Sequence, residues 1–412
     1  MFSVLSPSAP SFRTRRRHVQ PAPETLFPEL GGSMTGYLAA DCPPPFLVTH
    51  GPPSRVDDRT RSAVARPTGV ANASLVGIAR LAANSPPAET RRTSTDRPEY
   101  FLLPVKSILN HCDSKRVPFE WTINPYRGCE FACGYCYARY THEFMELDGG
   151  EFEKKIFVKK DAAALLRHDL AQKYLPNSNV WEREPEHIAI GTATDPYQPA
   201  EQEYGVTRAC LEELAKHDSL SVSIITKSNQ IVRDIDVLKK IAAHSELHVN
   251  ITITTLRSRL ARLLEPRAPR PDLRIAALKQ LHQAGLAVGV SASPLIPGIT
   301  DREGDLEALG RAVREAGAQW FFSNVLFLMP SAAKQFLPLV RKKFPQLAKQ
   351  YEEWYSRDGY APAEYRKKIA ERVTRLRTKL GFTVRPWDET QKRPCAQMSL
   401  VWNTATDTVR ER

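Results

Sequence analysis

Three cysteines, Cys129, Cys133 and Cys136, lie within eight residues in the run Asn124-Pro-Tyr-Arg-Gly-Cys129-Glu-Phe-Ala-Cys133-Gly-Tyr-Cys136-Tyr137. Thiolates separated by three and then two residues can wrap one face of a cubane iron–sulfur cluster and bind three of its four irons. A cluster used only for electron transfer normally takes four cysteines. A loop that stops at three therefore suggests a coordination position kept for something else. Gly128 and Gly134 let the backbone approach a bulky group closely and turn through positive φ. A structural zinc is a competing reading and needs a fourth, closing ligand. His111, Cys112 and His142 are near enough in sequence to supply it. Three ordinary buried thiols are a weaker reading, given their density and the flanking glycines.

With Tyr135 as the aromatic residue just before the last cysteine, this run resembles the signature of the radical S-adenosylmethionine (SAM) superfamily. The resemblance implies that Cys129, Cys133 and Cys136 hold three irons of a [4Fe–4S] cluster. The amino and carboxylate groups of SAM would chelate the fourth iron. Electron transfer from the reduced cluster would then break a sulfur–carbon bond and release a 5′-deoxyadenosyl radical.

Four other segments carry polar groups where strands should end. Gly191-Thr-Ala-Thr194-Asp195-Pro-Tyr-Gln198-Pro-Ala-Glu201 offers hydroxyls and a carboxylate suited to an ammonium, although Thr and Asp are also routine helix caps. Lys227, in Thr226-Lys227-Ser228-Asn229, is placed to pair with a carboxylate. Asn250, Thr252 and Thr254 alternate with isoleucines and so share one strand face. The fourth segment, Ser291 to Asp301, contains the Pro297-Gly298 turn.

Together with Leu264-Glu265-Pro266, these segments resemble the branch of the superfamily related to spore photoproduct lyase, over roughly residues 100 to 330. That likeness implies that Thr194 and Lys227 contact the methionyl part of SAM and that Tyr135 and Tyr137 lie near its adenine. Asp195 and Thr254 join them as cofactor-binding candidates, and Glu265 with Arg274 forms a motif pair. One departure stands out. Thr192 occupies the position where photoproduct lyases carry a hydrogen-returning cysteine, and a threonine O–H bond is too strong for that task.

The elements that must position these residues follow from the apolar pattern. Apolar, β-branched runs at 119–123, 187–190, 219–226, 247–254, 286–291 and 319–327 alternate with helical patterns near 203–217, 230–243, 272–284 and 303–316. This is a succession of βα units, which predicts a parallel sheet with right-handed crossovers. Six units match the partial (βα)6, TIM-like barrel of the superfamily, with the cysteine loop after strand one. A further strand at 156–159 and a helix at 161–173 are expected, and residues 332–356 and 362–380 read as basic helices. The expected organisation is a barrel over 99–330 and a helical basic C-terminal extension over 331–412. Residues 1–98 hold 14 prolines, 12 arginines and no lysine, and are expected to be disordered or to precede the true start. An Arg-rich targeting peptide is a more distant reading.

The 412-residue chain contains no run of 18 apolar residues, so no membrane span is expected. Its seven cysteines lack a disulfide-framework spacing, and a thiolate-ligated cluster needs a reducing, cytoplasmic compartment. The net charge of +12 suits anionic partners. Together these observations predict a radical SAM enzyme supplied by ferredoxin or flavodoxin, generating a radical that abstracts hydrogen from a substrate the sequence does not name. The alternatives are a nucleic-acid lyase, repair or modifying enzyme of the same superfamily, and a nucleic-acid-binding protein with a structural metal site.

Overall fold

The computed structural model describes residues 77–90, 97–113, 117–174 and 186–383. Six strands pair in chain order in one parallel sheet: Trp121–Ile123, His187–Ile190, Ser221–Thr226, Glu246–Thr252, Ala287–Ser291 and Phe321–Phe322. Leu109–His111 adds an antiparallel strand beside the first. Strands covered on both faces should be apolar throughout, and Ile188, Ile190, Val222, Ile224, Val249, Ile251, Val288 and Val290 are all fully buried. The expected run of six strands is present, with one end shortened. Of residues 319–327, Phe321 and Phe322 form the strand, and the chain then peels away, keeping isolated bridges from Val325 to Leu295 and from Phe327 to Tyr360.

Helices fill the connections, with local departures from the expected lengths. The expected helix at 203–217 divides into Glu201–Tyr204 and Val206–Leu214 at Gly205, whose φ of 62° interrupts it. Ile235–His244, Pro271–Gln283 and Glu303–Glu315 lie close to their expected limits. Lys155–Val158 is a strand, but it pairs with Glu99–Leu102 and Tyr126–Arg127 in a separate three-stranded sheet.

Residues 1–98 are expected to be mostly disordered apart from a weak apolar patch around 75–81; of them, 77–90 and 97–98 are described. Gly77–Ala83 is a helix that buries Ala79 and Ala82. Ala82 packs with Leu103, Met145 and Phe157, and Ile78 and Leu81 lie against them. The backbone beyond is held by hydrogen bonds from Ala88 N to Tyr100 O at 2.8 Å and Leu102 N to Pro86 O at 2.9 Å. Borrowed apolar surface from later strands offsets an ordering cost that this segment could not meet alone. The rest of 1–98, and with it the question of the true start, lies outside the described residues, as does everything after 383.

The C-terminal helices are Pro330–Lys343 and Ala363–Leu380, both basic, and between them Ala348–Tyr355, which carries one lysine and two glutamates. Ala363–Leu380 places Ile369, Val373 and Leu376 in the main core with Leu306, Leu309 and Val313 of the Glu303–Glu315 helix. Gly310 permits this approach, because a Cβ there would stand 2.8 Å from Leu380 Cδ1. Pro330–Lys343 covers the cysteine loop, and Ala348–Tyr355 packs behind it through Tyr351 on Phe336. Among the described residues, no helix is long and apolar enough to cross a membrane.

Candidate metal and cofactor site

The cysteine loop leaves the carboxyl end of Trp121–Ile123 and is fixed at once by the small sheet. Gly128 has φ 82°, and a Cβ there would lie 2.6 Å from Lys155 O and 2.8 Å from Phe152 O, so only glycine fits. Cys129 N then donates to Phe152 O at 3.0 Å. Within the loop Cys136 N donates to Cys133 O at 3.2 Å, and buried Arg139 donates to the same carbonyl from Nη2 at 3.1 Å. Helix Pro330–Lys343 lies across the loop, with Phe336 and Leu339 against Gly134 and Phe336 edge-on to the Tyr135 ring at 6.3 Å.

Cys129 and Cys133 are buried and Cys136 is half-buried. Burial pushes Cys133 up to about 12; Lys227 and Arg274 pull it down, while Glu265 and Cys136 add to the rise. Burial also raises Cys129, reinforced by Asp195 and the other two thiols. Cys136 is raised by burial against the pull of Arg139 and Lys227. Three thiols that share one environment and resist ionisation alone become thiolates when metal charge sits among them. This donor set fits an iron–sulfur cluster.

The zinc alternative finds no fourth ligand among its candidates. His142 Nε2 lies 3.0 Å from Lys155 O and its ring packs on Phe152 and Phe157. His111 pairs with Asp113 at 2.7 Å. Cys112 packs with Val117, Phe119 and Ala189 in a separate cluster. Among the described residues, no group of three His, Cys, Asp or Glu side chains converges on a single metal ion.

The segment after His187–Ile190 braces the loop. Thr194 Oγ1 donates to Gly128 O at 2.6 Å, and Gln198 reaches the same carbonyl from Nε2 at 3.1 Å while its Oε1 accepts from Glu130 N at 2.9 Å. Asp195 accepts from Thr226 Oγ1 at 2.6 Å, Lys227 N at 2.7 Å and Tyr197 N at 3.0 Å. Burial raises the Asp195 carboxyl despite these bonds. Thr194 and Asp195 thus tie the cysteine loop to the lysine turn. Thr254 Oγ1 donates to Glu265 Oε1 at 3.1 Å, and Asn250 Oδ1 accepts from Trp320 Nε1 at 2.9 Å. Both are therefore turned to internal bonds.

Lys227 differs from its neighbours. Its ammonium stands 6.0 Å from the Tyr135 ring centroid and makes no side-chain hydrogen bond among the described residues. Burial alone would lower its pKa, but Cys133, Glu265 and Asp195 outweigh burial and the opposing Arg274, and the net shift is upward. Tyr135 donates its hydroxyl to Glu265, and Tyr137 donates to Thr192 O. Thr192 Oγ1 is held by Asn124 Nδ2 at 3.0 Å. Sequence reasoning did not single out Asn124, Gln198 or Arg139. Asn124 and Gln198 lay inside the quoted motifs, and Arg139 two residues past Tyr137 at the end of the cysteine run.

A parallel α/β sheet with a three-cysteine loop at the carboxyl edge of its first strand, beside a half-buried lysine, is the arrangement of a cluster-binding site. Residues 123–309 match the radical SAM superfamily model. An uncharacterised protein of Mycobacterium tuberculosis is 34% identical over 273 residues, covering 66% of this chain and 78% of that one. An uncharacterised protein of Methanocaldococcus jannaschii is 29% identical over 227 residues, covering 55% of this chain and 77% of its own. Among solved structures, spore photoproduct lyase complexed with dinucleoside spore photoproduct superposes with a TM-score of 0.52 at 16% identity, covering 68% of this chain and 79% of that chain. A mutant of the same lyase gives 0.52 at 15% identity, covering 77% and 85%. The chain belongs to the radical SAM superfamily, whose members use a [4Fe–4S] cluster and SAM.

Proposed function

We propose that this protein is a radical SAM enzyme, built on an open (βα)6 partial barrel, that cleaves SAM reductively to activate a substrate by hydrogen abstraction. When bound, the cluster and SAM supply one-electron cleavage of a sulfur–carbon bond and a 5′-deoxyadenosyl radical. The protein's own part is to bind, orient and exclude water. Cys129, Cys133 and Cys136 would hold three irons, and Lys227 would pair with the SAM carboxylate. Tyr135 and Tyr137 would border the adenine, while Thr194 and Asp195 keep the loop and the lysine turn in register. The observation that carries this reading is the juxtaposition of three thiols on one loop with the Lys227 ammonium, which makes no side-chain hydrogen bond among the described residues. An acidic one-electron carrier such as ferredoxin or flavodoxin would suit the basic chain, and a thiolate-bound cluster a reducing, cytoplasmic setting.

A nucleic-acid substrate is a second reading, favoured by the exposed Lys367, Lys368 and Arg375 on the Ala363–Leu380 helix. The superposed lyase is complexed with dinucleoside spore photoproduct. Thr192 removes the basis for transferring that enzyme's lesion reversal to this one.

The deciding measurement is the EPR spectrum of anaerobically reconstituted, dithionite-reduced protein with and without SAM. A cubane signal that changes on adding SAM is expected. A signal indifferent to SAM, or stoichiometric zinc in place of iron, overturns the reading. Lys227→Met should keep the cluster and weaken SAM binding about 10- to 100-fold, the worth of one charge-assisted hydrogen bond.

A further inference from the structure

The turn that follows helix Ser258–Leu264 grips the cysteine loop at three points. Leu264 O accepts from Gly134 N at 3.1 Å, and Arg267 N donates to Phe131 O at 3.2 Å. Between them the Glu265 carboxylate accepts the Tyr135 hydroxyl, so the turn holds the stretch running from Phe131 to Tyr135. Glu265 is in turn fixed by Arg274, whose Nη2 donates to it. Arg274 Nη1 donates to Thr252 O at 3.0 Å and its Nε to Pro269 O at 2.8 Å. Glu265 and Arg274 are each 1% exposed.

A fully buried ion pair is weak evidence for stability, because desolvation offsets most of its attraction. Its bonds here account for it differently. The hydrogen bonds of Glu265 and Arg274 link Tyr135 of the cysteine loop to the strand end at Thr252, and so hold two opposite charges beside the stretch between Cys133 and Cys136. The potential of an iron–sulfur cluster follows the net charge around it.

We infer that Glu265, oriented by Arg274, is a positioning residue for the cluster loop: it sets the Cys133–Cys136 turn through Tyr135 and balances the charge beside Cys133. This rests on the radical SAM reading. Failure of that reading would appear as wild-type protein whose EPR signal ignores SAM. Failure of the inference would appear as wild type that responds to SAM beside variants whose cluster keeps the wild-type potential.

The experiment is an EPR-monitored redox titration of reconstituted wild type, Glu265→Gln, Arg274→Gln and the double variant, with iron content measured on each. Glu265→Gln leaves a cation unbalanced near Cys133 and should move the midpoint potential up. Arg274→Gln should move it down, and the double variant should return towards wild type. Merely structural residues would change iron content and stability while the retained cluster kept its potential, and that result overturns the inference. Tyr135→Phe removes one hydroxyl and should fold even where the charge variants do not. It should raise the KM for SAM about tenfold, the worth of a hydrogen bond to a charged group, with kcat changing less. An unchanged KM with intact iron also overturns the inference.

Discussion

Two buried histidines set an acid limit on this molecule that is separate from its chemistry. His187 lies between two hydroxyls, Nδ1 at 2.8 Å from Ser221 Oγ and Nε2 at 2.8 Å from Ser223 Oγ. Burial, with His248 adding repulsion, lowers it to about 3. Burial lowers His142 to about 4, against the pull of the Lys155 carbonyl. Both folded values lie below the ordinary histidine value of about 6.5, so the unfolded chain takes up these protons first. The stability contributed by the neutral rings is therefore full above about pH 6.5 and lost as pH falls towards about 4 and then 3. The thermal midpoint of the apoprotein should decline between about pH 6.5 and 5, before most carboxylates protonate. His187→Gln should flatten that slope, and a flat wild-type profile would contradict the assignment.

At the scale of elements, the Pro330–Lys343 helix does more than extend the chain. Fully buried Phe336 stands between the Tyr135 and Tyr351 rings, at 6.3 and 6.1 Å. Tyr351 anchors the following helix by donating to Pro297 O at 2.7 Å. Phe336→Ala should cost about 3–5 kcal/mol, read by urea unfolding of the apoprotein, and should speed removal of iron by a chelator. Lost stability with unchanged iron release would mean that the helix does not cover the cluster. This cover was not legible in the sequence, where 332–356 read as a basic helical stretch. Its apolar positions show that something is buried, without naming the loop some 200 residues earlier that they bury. The parallel strands were legible because both faces are covered and the runs are apolar at every position. The cysteines were legible because a cluster loop is local in sequence. The bracing roles of Thr194 and Asp195 were not, since their partners Gly128 and Thr226 lie on other strands' ends. The Gly77–Ala83 helix showed in the sequence only as a weak apolar patch around 75–81, because seven residues are too few to display a helical period.

For the whole molecule the open question is what the net charge of +12 attracts. Part of the Ala363–Leu380 helix is already committed, with Lys379 to Glu307 at 2.8 Å and Arg372 to Asp301 O at 2.7 Å. Lys367, Lys368 and Arg375 remain exposed. If these three meet phosphates, the triple Glu variant should lower the slope of log affinity against log salt for duplex DNA by about 3. An unchanged slope would make the helix a solvated face and direct attention to smaller anions.

The helical cover also fixes an order of events in the making of the protein. A ribosome that has released Cys136 must add 194 more residues before Pro330 appears. At roughly 5–20 residues per second that interval is about 10–40 s. Throughout it the cysteine loop has no Phe336 or Leu339 against it. An iron–sulfur donor thus meets an uncovered loop during translation and a covered one afterwards, so cluster delivery to the nascent chain should outpace repair of the finished protein.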